Sequence, residues 1–182
     1  MRIRLPPVFR RDRRSEQEKQ FGTGLWRQHR ERFSRAVDRF YERASALHEE
    51  HGDAEAAPQI SELAQLTLVL NDLDDRVAAL ARTAQGAVPL EGLVFPAAGR
   101  ARLGDVPEHL SRASALVAHA LQSATMLHAR LAMDPHAPSA GAAEFAEAAR
   151  TYVDRAAGLI DEAEAGLPDD LRRQPPRGDP ER

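Results

Sequence analysis

The sequence predicts an all-α protein: an antiparallel up-down four-helix bundle, with a disordered basic N-terminal arm and a disordered C-terminal tail. Three observations lead there. Apolar residues recur at alternating steps of three and four along four long stretches, the spacing that lines one face of an α-helix. Gly, Pro and capping residues punctuate the ends of those stretches. No run of alternating β-branched residues competes for the same segments. The chain of 182 residues suits one domain with tails and is long enough to bury a real core.

Residues 1–20 read as a flexible basic arm, because Pro6-Pro7 blocks helix and Arg10, Arg11, Arg13 and Arg14 repel one another. The bundle occupies 21–167. Its first helix, near 25–50, carries Trp26, Phe33, Val37, Phe40, Ala44 and Leu47 on one face, with Arg30 as a polar intruder, and Gly52-Asp53 stops it. The second, near 57–85, has Pro58 in its first turn and the stripe Leu63, Leu66, Leu70, Leu73, Val77, Leu80 and Ala84, with Gly86 as its stop. A long apolar loop follows at 86–104, broken by Pro89 and Pro96.

Asp105, Pro107 and Glu108 form a capping signature for the third helix, near 106–132. Its stripe is Leu110, Ala113, Val117, Ala120, Ala124, Leu127 and Leu131, and Asp134-Pro135 closes it. The fourth, near 139–166, opens at Ser139 and carries Ala142, Phe145, Ala149, Tyr152, Ala156, Leu159 and Ala163. Residues 168–182 are too polar and Pro-rich to bury anything and read as a disordered tail. Helices of about 25–28 residues span about 40 Å, and matched lengths with short first and third connections favour coiled-coil-like, up-down packing. Two long hairpins pairing between chains are the alternative, which would make the protein a homo-oligomer.

Composition removes several function classes. With no Cys, disulfide scaffolds, thiolate metal sites and cysteine nucleophiles are excluded. The start is charged early and lacks the apolar run of a secretory signal. The longest uncharged run, Ala113–Ala129, is too short and polar to span a bilayer, so a soluble cytoplasmic protein is expected. Arg outnumbers Lys by 24 to one and Ala fills 33 positions, which reads as a high-GC bacterial genome and discounts any argument from arginine abundance. Charge is unevenly placed: residues 1–43 carry a net +7 and residues 44–182 a net -10.

Catalytic motifs are sparse. Glu-x-x-His, His-Glu-x-x-His, Gly-rich phosphate loops and Gly-x-Ser-x-Gly are all absent, so no metal, cofactor or catalytic residue is expected. His48 and His51, three apart at a helix end, fit the helix dipole better than a metal. Glu31–Arg35 and Asp72–Arg76 read as i, i+4 pairs, and Asn71, Asp72, Asp74 and Asp75 as a solvated face.

The segment Ala118-His119-Ala120-Leu121-Gln122-Ser123-Ala124 resembles the phosphoacceptor signature of histidine phosphotransfer domains, which are also four-helix bundles. The resemblance covers about seven residues and implies that an exposed His119 accepts a phosphoryl group. Gln122 stands where that family has Lys and Ser123 where it has Gly, so a solvent-side histidine is the plainer reading.

Two regions invite partners. The arm and first helix, residues 2–43, could contact nucleic acid or an anionic lipid surface through Arg10, Arg11, Arg13 and Arg14, although the acidic body opposes a polyanion. The loop 88–95, holding Leu90, Leu93, Val94 and Phe95, is too apolar for plain disorder and either caps the bundle or docks a partner. The leading expectation is a non-enzymatic protein that binds another protein as adaptor, scaffold or regulator. Polyanion binding comes second and phosphotransfer at His119 third.

Overall fold

The computed structural model describes residues 17–134 and 139–172. All regular structure among them is helical: a helical stretch over residues 17–21, then α1 (Leu25–His51), α2 (Ala57–Ala87), α3 (Ala97–Leu103), α4 (Val106–Met133), α5 (Ser139–Ala165) and α6 (Asp169–Arg172). No helix among the described residues is long and apolar enough to cross a membrane.

The long helix α1 packs against α2 and α4, and α5 packs against α4 and α2. Side-chain pairs fix their directions. Trp26, at the start of α1, donates to the carbonyl of Val88 just past the end of α2 at 3.0 Å, so these two run antiparallel. His109, early in α4, lies 3.5 Å from Glu162, late in α5, so these two are antiparallel as well. Glu50 at the end of α1 bonds His128 near the end of α4, and Arg76 reaches Glu164 while Glu62 reaches Arg150. Hence α1 runs parallel to α4, and α2 parallel to α5. The consecutive long helices α2 and α4 are not packed on one another, so residues 88–105 cross one end of the molecule diagonally. That span is the physical reason for so long a connection.

The expected stripes of α1, α2 and α4 are buried throughout. The polar member of the α1 face is His29, and Arg30 turns aside to Asp74. In α5 the stripe differs from expectation. Ala142, Ala149, Ala156 and Ala163 are buried, but the positions between them are Ala146, Val153 and Ile160, while Phe145, Tyr152 and Leu159 are only partly buried. Both alternations share every seventh residue. Against the small Ala113, Ala120 and Ala124 of α4, the α5 interior takes short side chains and the larger ones flank the contact.

Three boundaries also move. Residues 17–20, expected in the flexible arm, are helical, with Phe21 buried behind them and Glu18 3.3 Å from Arg27. The long loop contains α3, and α2 continues past Gly86 to Ala87. The expected disordered tail begins with α6, whose Leu171 is buried. The capping box at Asp105 does not form: Arg100 takes Glu108 at 2.8 Å and approaches Asp105 at 3.7 Å, so the guanidinium claims both carboxylates. Between α3 and α4 the chain turns at Gly104, whose φ of +52° lies in the left-handed region that glycine adopts freely.

Candidate functional site

The diagonal crossing is held to α1 by main-chain and ring contacts. The indole Nε1 of Trp26 donates to the Val88 carbonyl at 3.0 Å, and the Leu25 amide donates to the Gly92 carbonyl at 3.0 Å. Leu90 N donates to Gln85 Oε1 at 3.2 Å. Gly24 permits this approach, because a Cβ there would stand 2.4 Å from the Gly92 oxygen and 2.6 Å from that of Leu90. Phe95 meets Trp26 edge-on at 5.6 Å between ring centroids. The four apolar candidates therefore divide. Leu90 and Phe95 turn inward and anchor the segment, whereas Leu93 is 60% exposed and Val94 83% exposed at its tip.

Buried polar atoms of His29 and Glu108 lack partners at the same end. His29 is 7% exposed and its Nε2 has no partner. Burial, reinforced by Arg32 and opposed by Glu108, lowers its pKa to about 4, so the imidazole is neutral at pH 7. Glu108 keeps Oε1 on Arg100, while its Oε2 is buried without a partner.

His119 is exposed on α4, and its ring rests against Tyr152 of α5 at 5.2 Å. Ser123 donates its hydroxyl to the His119 carbonyl at 3.3 Å. Gln122 is exposed one turn along. On the same α4–α5 face a shallow groove of about 480 Å³ is lined by Leu116, Leu159 and Gly158 between Arg112 and Arg155.

Arg10, Arg11, Arg13 and Arg14 lie outside the described residues. On α1, several cations are already engaged. Arg27 holds Glu31 at 2.7 Å and Glu18, Arg30 holds Asp74, and Arg43 donates to His128 Nδ1. Arg35 donates to the Glu31 carbonyl rather than its carboxylate. Arg32 and Arg39 stay exposed. Asp74 is not on a solvated face: burial raises its carboxyl pKa against the opposing pull of Arg30. Arg76 leaves Asp72 for α5, where it forks onto Glu164 at 2.9 and 2.7 Å and reaches Asp161 at 2.5 Å.

At the opposite end, Glu50, His51 and His128 present ligand atoms that all lie within 4.8 Å of one another. His128 Nε2 is 2.8 Å from Glu50 Oε2, and the His51 and His128 rings meet edge-on at 5.7 Å. The bond to His128 holds the Glu50 carboxyl below its ordinary range. A search for ligands along single helices misses this set, because it is divided between α1 and α4. Only the parallel pairing of those helices brings residue 128 to residues 50 and 51.

No family model, curated protein or solved structure matches the chain.

Proposed function

We propose that this chain is a non-enzymatic four-helix bundle protein that works by binding another protein, with the 88–95 segment as its contact. The observation that carries the reading is the exposure of Leu93 and Val94 on a segment pinned at its base by Trp26, Leu25 and Gln85. Apolar side chains at a solvent-facing tip gain free energy when a partner covers them. Because the backbone beneath them is already fixed, little ordering entropy opposes that gain. A cap alone needs only the inward pair, Leu90 and Phe95.

The test is in-cell photocrosslinking from a reactive residue placed at Val94, with Met126 as the control. Met126 is an apolar residue 51% exposed on α4, away from the crossing. A discrete protein adduct from Val94 and none from Met126 supports the reading. Equal adducts from both positions, or none from Val94, overturn it. An adduct with a second copy of this chain would replace the foreign partner by self-association.

A further inference from the structure

We propose that Glu50, His51 and His128 form a binding site for a divalent first-row transition metal of the zinc class, and that Arg43 gates it. The site lies at the end of the molecule remote from the crossing and is independent of the partner-binding reading.

The donor set comes first. Two imidazoles and one carboxylate suit borderline cations such as Zn²⁺, whereas Mg²⁺ and Ca²⁺ take all-oxygen sets. Three protein ligands leave a fourth tetrahedral position for water or another donor. Tetrahedral ligands at about 2.1 Å from the metal stand about 3.4 Å apart. The Glu50–His128 pair is already at 2.8 Å and all three donors lie within 4.8 Å, so side-chain adjustment suffices.

A second observation points the same way. His51 Nε2 is buried and has no hydrogen-bond partner, an unsatisfied polar atom on a ring that offers a ligand nitrogen within 4.8 Å of the other two donors. The two histidines sit on different helices, and both helices are anchored by core residues nearby, Leu47 on α1 and Leu127 and Leu131 on α4. Such a pair is held in place before any metal arrives, which reduces the ordering cost of binding. The last turn of α1 also carries the partial negative charge of a helix C-terminus, which favours a cation.

Arg43 supplies the gate. Its guanidinium, which can only donate, bonds Nδ1 of His128, so that nitrogen holds the lone pair and Nε2 holds the hydrogen directed at Glu50. Neither nitrogen of His128 offers a free lone pair until Arg43 withdraws. Metal and guanidinium therefore compete for one imidazole, and a fixed positive charge beside the site opposes the cation as well.

Calorimetric titration of the full chain with Zn²⁺, in a non-chelating buffer at constant pH, tests this, with Co²⁺ absorption as a second readout. One equivalent of Zn²⁺ binds and Co²⁺ gives a tetrahedral visible spectrum. His51→Ala and His128→Ala each weaken binding by at least about tenfold, and the exposed Glu50→Gln, which leaves the core untouched, weakens it too. Arg43→Gln tightens binding by about tenfold, the direction expected when a neighbouring positive charge is removed. Absence of saturable binding overturns the proposal. So does binding that survives both histidine substitutions, or an Arg43→Gln variant that binds more weakly.

Discussion

Where α1 begins and α2 ends, the chain covers its own core with a diagonal crossing, sealed by Trp26, Phe95, Leu90 and Leu103. Where α1 and α4 end, the connections are short, and the helix ends are finished by Glu50, His51, His128 and Arg43. The covered end buries polar atoms that lack partners, among them His29 Nε2 and one oxygen of Glu108, and among the described residues its large exposed apolar side chains are Leu93 and Val94 at one tip. The other end also leaves Nε2 of His51 buried without a partner, but it joins Arg43, His128 and Glu50 in one run of bonds that reaches solvent at Glu50. A helical bundle must finish both ends of its core. Covering one with chain makes a rigid apolar platform, and finishing the other with side chains makes a place where charge and ligands can exchange.

The largest effect should come from breaking the seal. Trp26→Ala removes a fully buried indole and the bond to Val88, and should cost about 3–5 kcal/mol in urea unfolding. Next is acid sensitivity at the covered end. Because the folded pKa of His29 is lowered from 6.5 to about 4, the unfolded chain takes up a proton first as pH falls. Stability from a neutral His29 is thus complete above pH 6.5, falls through the interval down to pH 4, and levels below it, a loss of up to about 3 kcal/mol. His29→Leu should flatten that part of the stability–pH curve, measured against the wild type across the same range.

Gly24→Ala should be milder, about 1–3 kcal/mol, because the new Cβ pushes the crossing off α1 without emptying the core. Amide exchange at Leu25, whose N–H bonds Gly92, should accelerate in that variant. The smallest effect belongs to the open end, where Glu50→Gln should leave the melting temperature unchanged in metal-free buffer. A large drop there would mean that the two ends are not finished in different ways.

The helices of this fold were legible because heptad spacing reports burial directly, and the stripes of α2 and α4 required no correction. The α5 stripe was harder: alternate positions separated by one residue, Tyr152 and Val153 or Leu159 and Ile160, both satisfy a three-four rhythm. The neighbour's small side chains decide between them. His29 escaped notice because a polar residue on an apolar face looks like an interruption, and Arg30 beside it was the louder one. The tip at Leu93 and Val94 was visible as an apolar loop, but its division into anchors and exposed residues depends on bonds to Trp26 and Leu25 across some 60 residues. The Glu50–His51–His128 set was not legible at all. Its members share no periodicity, and their meeting depends on which helices run parallel.

The most direct measurement pairs stability with binding in Leu93→Ser/Val94→Ser, using the protein captured from Val94 as the ligand. Substitutions at exposed positions should leave unfolding free energy within about 0.5 kcal/mol of wild type. The expected result is that unchanged stability together with loss of the captured partner. Retained binding with a clear fall in stability would contradict it, placing Leu93 and Val94 in the cap and the docking surface elsewhere.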